Sequence, residues 1–256
     1  MLWDASTMKG YAIEASDGTI GTVSDMLFDD ADWKVRWLVV DTGDWLPGRK
    51  VLLPLSVLAQ PDATRRTLPV DLTMKQVEDS PDIEADQPVS RHTEGHLYRH
   101  YRQEPYWGVG LFPLGDQRAA PVMTPLGLVD TGPRVSDDLY VAANEGDPHL
   151  RSMAAVAGYH IAATDGEIGH AETFLIDPAD WIIRYIVVDT RNWWPGEMVL
   201  ISPPMVSRID WPNKLVHVTV DCQKIKNGPH YDPMITVDGA YDESFLTYYG
   251  IRWTKA

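Results

Sequence analysis

The chain has 256 residues, a formal charge of −15 at neutral pH and a single cysteine. That length suits two domains of about 110 residues, each able to bury a core of its own. The acidity argues against binding a phosphate backbone or an anionic lipid surface, and one cysteine excludes an intrachain disulfide framework or a Cys-rich zinc site.

The first ten residues, MLWDASTMKG, show no basic stretch followed by an apolar run, so no signal peptide is expected. No stretch nears the roughly 20 apolar residues of a membrane helix, and the expected location is cytoplasmic. KGYAIEASDGTIGTVSDMLFD follows, with Asp17-Gly18 between two strand-like runs, a strong hairpin signal. VRWLVVDT is rich in β-branched and aromatic residues and reads as a central strand. Trp45-Leu46-Pro47-Gly48 is a turn, Lys50 to Leu53 the next strand, and Thr67 to Leu72 another. Thr73 is placed to N-cap a short helix at MKQVED. SRHTEGHLYRHYRQ sets Leu97, Tyr98 and Tyr101 on one face at helical spacing. Residues 109–148 are rich in Gly, Pro and Asp and read as a connector lying partly on the neighbouring domains.

After the connector the same text returns. DADWKVRWLVVDTGDWLPG from Asp30 is matched by PADWIIRYIVVDTRNWWPG from Pro178, and the offset of 148 residues runs without a gap from Gly10 and Gly158 to Tyr101 and Tyr249. About half the positions between Gly10 and Leu52 equal their partners. The chain is therefore read as a duplication: one unit at 1–108, the connector at 109–148, a second unit at 149–256. Two copies are too few for a solenoid, and each is long enough to be a domain.

The ordered set Asp-Gly-x-Ile-Gly, ADWxxR(W/Y)(L/I)VVDT, W-x-PG and VL(L/I), written twice, resembles the PRC-barrel domain. The stretches QPVSRHTEGHLYRHYRQEPYW and ITVDGAYDESFLTYYG resemble the tail that often follows it in stand-alone bacterial members. The family's small β-barrel occurs in the photosynthetic reaction-centre H subunit and in a ribosome-maturation factor, where it binds a ribosomal protein. The resemblance implies a docking module rather than a catalyst. The expected fold is mainly β: two small PRC-type barrels, each with a short helical tail, in a pseudo-twofold arrangement with the tails and flanking aromatics (Tyr98, Tyr101, Tyr106 and Trp107 against Leu246, Tyr249 and Trp253) as the cement.

Candidate interaction residues are the aromatic and arginine anchors Trp33, Arg36, Trp45, Trp181, Arg184, Trp193, Tyr101, Trp107, Tyr249 and Trp253, since Trp, Tyr and Arg are enriched where partners bind. For Trp33, Trp45, Trp181 and Trp193 the competing reading is packing that closes a barrel mouth; for Arg36 and Arg184 it is an ordinary ion pair. His92, His96 and His100, at i, i+4 and i+8, have the spacing of a chelating pair. They fall opposite the Leu97–Tyr101 face and have Ala240, Ser244 and Tyr248 as counterparts, so no metal site is assigned and metal is not expected to be needed for folding. FDDADW lacks the alternating ligands, central Gly and terminal Glu of a calcium loop. Cys222 stands where the first unit has Met74 and reads as a packing residue. His160 and His170 flank the second hairpin, with Ala12 and Thr22 as counterparts. No catalytic or cofactor-binding residues are assigned. The function expected is non-enzymatic protein–protein interaction, as a scaffold or assembly module. Its partners are proteins, a second copy among them, with no nucleic acid. The alternative is a small-ligand or metal-binding protein using the cleft between barrels or the histidine stripe.

Overall fold

The computed structural model describes residues 2–81, 89–106, 149–190, 197–234 and 237–251; the connector and Trp107, Trp193 and Trp253 lie outside them, as does the side chain of His92. Strand β1 (Trp3–Asp4) and the single turn α1 (Ala5–Met8) lead into β2 (Ala12–Ala15), β3 (Gly18–Asp29), β4 (Lys34–Asp41), β5 (Lys50–Pro54), β6 (Thr67–Pro69), α2 (Met74–Glu78) and α3 (Arg91–His100). The series then restarts: β7 (Leu150–Ser152), α4 (Met153–Val156), β8 (His160–Ala162), β9 (Glu167–Asp177), β10 (Ile182–Asp189), β11 (Met198–Ile201), β12 (Val206–Asp210), β13 (Leu215–Val218), α5 (Cys222–Lys226) and α6 (Gly239–Tyr249). Each element lies close to 148 residues from its counterpart. The exception is β12, which answers to a stretch making isolated bridges at Leu58 and Asp62.

The local causes are the same in both halves. The hairpin Asp17 bends the chain and also accepts a hydrogen bond from the Met74 amide, 2.8 Å or less in length, as Asp165 does from the Cys222 amide. One residue type thus ties the hairpin tip to the start of a short helix that could not stand alone. Thr73 and Gln76 complete a capping box on α2, and Asp221 caps α5. Gly21 and Gly169 sit at φ +155° and +147°, where a Cβ would meet the carbonyl oxygens of Asp41 and Asp189 at 2.0 Å. The Ile-Gly pairs of the repeat are therefore places where two strands cross too closely for any side chain.

The molecule is mainly β. Thirteen strands join in one sheet, along the path β12-β13-β8-β9-β10-β4-β3-β2-β6, with β1, β5, β7 and β11 paired off it. Among the described residues this pairing stays open and does not close round either half. The reason lies just after β5 and β11. Pro54 ends β5, and the chain bends through a 3-10 turn at Leu55–Val57; Pro203 and Pro204 open the matching turn at Pro203–Met205. Proline has no N–H for a ladder, so pairing breaks at the bend and resumes beyond it against β6, with bonds such as Ala59 N to Pro69 O.

Each helical tail sits on its own half, contrary to the expectation that the tails cement the two. Trp37 on β4 packs on Tyr98 at 4.6 Å and donates its indole N–H to Glu94 at 2.7 Å. Tyr185, the counterpart of Trp37, packs on Phe245, the counterpart of Leu97, at 4.9 Å and donates its hydroxyl to Asp242, the counterpart of Glu94. Tyr106 folds back over Tyr98 and receives the Arg36 guanidinium 3.7 Å from its ring centre. An apolar helix face buries against the nearest apolar strand face, and β4 and β10 offer one within each half.

Burial raises the pKa of five tyrosine hydroxyls in these tails and their supports: Tyr98, Tyr185, Tyr241 and Tyr249 well above the usual range, and Tyr101 up to about 12. The fold holds these protons while the unfolded chain releases them near pH 10. Stability is therefore intact below pH 10 and falls as pH rises through the folded values, by at most about 1.4 kcal/mol per unit for each group and by less where solvent reaches the ring. A denaturant series from pH 9 to 11.5 should show a steadily falling midpoint; a flat midpoint would show that these hydroxyls ionise freely in the fold.

Candidate functional site

The halves meet edge to edge. β4 and β10 pair antiparallel at Lys34 and Ile182, which are counterparts of each other. On either side Val35 N donates to Trp181 O at 2.9 Å and Ile183 N donates to Trp33 O at 2.8 Å, again counterparts. Trp33 and Trp181 are themselves left-handed, at φ 59° and 60°. A bulky residue adopts that conformation only under constraint, and here it belongs to the two residues whose carbonyls cross the seam.

The N-terminal strands are exchanged. β1, the start of the first half, pairs with Leu175 and Ile176 on β9; β7, the start of the second, pairs with Leu27 to Asp29 on β3. At the end of each exchanged strand is a carboxylate–hydroxyl pair. Thr173 Oγ1 donates to Asp4 Oδ1 at 2.6 Å, and Ser152 Oγ donates to Asp25 Oδ2. Asp4 caps α1 through the Ser6 amide at 2.8 Å, and Ser152 caps α4 through the Ala155 amide at 3.0 Å. Asp30 also crosses the seam, accepting from Arg151 at 3.1 Å and lying 2.7 Å from His149. Trp3 meets Trp181 edge-on at 5.7 Å, and Phe28 meets Phe174 at 5.8 Å.

These exchanged elements line a cavity of about 240 Å³. Its wall draws from both halves: Ala5, Val23, Met26, Met153, Ala157 and Phe174 supply apolar surface, Asp25 and Thr173 polar atoms, and Lys9 and Glu172 charge. A second depression, about 470 Å³, follows one stripe of α6 through Gly239, Asp242, Glu243, Leu246, Thr247, Gly250 and Ile251. On α3 the corresponding stripe includes Arg91 and Tyr98, both covered by Tyr106.

The anchors expected from sequence are scattered over this frame. Trp33 and Trp181 are at the seam. Arg36 is held by Asp29 at 3.5 Å and by Asp32, and Arg184 by Asp177 at 3.0 Å and Asp180 at 2.6 Å. Trp45 packs half-buried against the core, Tyr101 is buried on α3, and Tyr249 packs on Phe245 at 4.6 Å. Those among the described residues are not gathered into one site. His100 Nε2 lies 2.6 Å from Gln76 O, while His96 is exposed. The Cys222 thiol is pushed up to about 11 by burial and by Asp165, which keeps it protonated at neutral pH.

Among the described residues, two groups of metal-type ligands escaped the sequence reading. Asp29, Asp30 and His149 bring ligand atoms within 4.8 Å of one another, but Arg36 and Arg151 already face the carboxylates. His170 Nε2 lies 3.7 Å from Glu172 on the same strand and 3.9 Å from buried Asp189 on β10. The register of β9 against β10 sets His170 opposite Asp189, and a 19-residue separation along the chain hides that pairing.

A family model, the PRC-barrel domain, matches residues 4–76. No curated protein matches the chain. Among the described residues no helix is long and apolar enough to cross a membrane.

Proposed function

We propose that the chain is a tandem PRC-type module: two PRC-like units related by a pseudo-twofold axis through Lys34 and Ile182, acting by protein–protein interaction as a scaffold rather than by catalysis. The reciprocal seam is the observation that carries this reading. The axial backbone bonds and the pairings of Trp3 and Asp4 recur 148 residues away, so the segment after Ser152 reproduces the frame of the matched segment 4–76. A rigid pair of like frames with unlike surfaces suits the bringing together of two partners better than the turnover of one substrate. Large exposed apolar side chains among the described residues are Met234 and Tyr248, so docking does not rest on a broad greasy patch. The α6 stripe around Leu246 is the docking face we assign. The seam cavity supports a second reading, a small ligand held between the halves, because both halves contribute to a mixed polar and apolar wall.

One experiment separates the two. The chain and its Leu246→Glu variant are isolated from the native host and weighed intact by native mass spectrometry. Protein partners that accompany the chain and are lost from the variant support the scaffold. A small-molecule adduct retained by both supports the cavity, and a bare chain in both preparations counts against each.

A further inference from the structure

We propose that the seam is a heterotypic recognition surface: each half is built to accept the other, and the first half to reject a second copy of itself. This rests on the reading of the halves as duplicated units. Position for position the seam is reciprocal in geometry but not in chemistry. Asp4 and Ser152 are counterparts, and so are Asp25 and Thr173. The two contacts therefore carry the same carboxylate–hydroxyl bond with its polarity reversed.

Exchanging partners breaks that match. Two first halves set together in this geometry would bring Asp4 against Asp25 twice, with no hydroxyl in the place of Thr173 or Ser152 between them and the Ser6 hydroxyl already given to Asp4. Lys34 would meet Lys34 on the axis instead of Ile182, in directly opposed strand positions where like charges repel. Asp30 would lose Arg151 and His149, since Trp3 stands where Arg151 does. Two second halves would bring Ser152 against Thr173 with no carboxylate, and Arg151 against Pro178, the counterpart of Asp30. The backbone bonds of the axis would survive in every combination, because they involve Trp33, Val35, Trp181 and Ile183 through main-chain atoms only. Geometry thus permits any pairing and side-chain chemistry selects the unlike one, by repulsion as well as attraction.

The test writes the first half's residues into the second half of the full-length chain and reads thermal unfolding, which needs no partner and is independent of the scaffold reading. Thr173→Asp recreates the Asp–Asp contact and should lower the midpoint by roughly 5–10 °C. Adding Asp4→Ser restores the pair in the polarity already present at Ser152 and Asp25, with the introduced hydroxyl still able to cap α1, and should return at least half of the loss. Asp4→Ser alone should stay within a few degrees of the parent. Ile182→Lys should lower the midpoint in a way that shrinks with added salt, and Lys34→Ile with Ile182→Lys should recover it. A Thr173→Asp protein that fails to fold while the double variant folds is itself the rescue. A Thr173→Asp midpoint equal to the parent's, or double variants no better than the singles, would overturn the proposal.

Discussion

Alanine at Gly169 is expected to cost roughly 3–5 kcal/mol, enough to unfold much of the second half. The added Cβ would stand 2.0 Å from the Asp189 carbonyl oxygen and 2.9 Å from its carbon. Those are backbone atoms at the end of the β9–β10 ladder, where Asp189 pairs with His170, so no rotamer change relieves the clash; the strands must part. Its φ of +147° adds a second penalty for any L side chain. Gly21 presents the same geometry against Asp41, at 2.0 Å and φ +155°, and Gly21→Ala should behave alike. Gly166→Ala is the control: its Cβ would meet the Cys222 sulfur at 3.5 Å, an ordinary contact. Urea unfolding of the three variants decides the matter. A Gly169→Ala protein within about 1 kcal/mol of the parent would mean that the crossing is looser than the structure shows.

Glu94→Ala should be the most damaging change in the first tail. Glu94 is completely buried, accepts the Trp37 indole N–H at 2.7 Å and lies 4.0 Å from Arg91. Alanine leaves a buried N–H without its acceptor and removes the carboxylate facing that guanidinium, a loss of about 3–5 kcal/mol. Glu94→Gln keeps an acceptor and should lose less than half as much. Trp37→Phe together with Glu94→Leu removes both polar partners and should be milder than Glu94→Ala alone. Urea midpoints followed by tryptophan fluorescence provide the measure, and a Glu94→Ala midpoint equal to that of Glu94→Gln would refute the argument.

Much of the frame was legible in the sequence because its causes are local. Asp17-Gly18 bends a hairpin wherever it stands between strands, VRWLVVDT favours a strand by its own side chains, and the unbroken offset makes each such reading count twice. The seam was not legible. Its exchanged strands, β1 and β7, are two and three residues long, too short for a period. Apart from Leu2 and Leu150 their residues differ between the halves, so by letter the sustained repeat begins at Gly10. The shared signal before it is a function rather than a letter, since Asp4 and Ser152 both cap a turn of helix. The tails were assigned to the seam because helical spacing shows which face is apolar but not which strand receives it. Opposed positions across a ladder were hidden for the same reason, so His170 and Asp189 became neighbours only once the register of β9 and β10 was known.

The strand exchange has a consequence for the order in which the chain is made. Trp3 and Asp4 are synthesised some 170 residues ahead of their partners Ile176 and Leu175. At ordinary rates of synthesis that is a delay of roughly 10–30 s. Through it β1 has no strand to join, and the β3 segment Leu27–Asp29 waits uncovered for Leu150–Ser152. The first half alone therefore lacks one strand of its sheet, and synthesis of the second half supplies the missing strand and receives the waiting one.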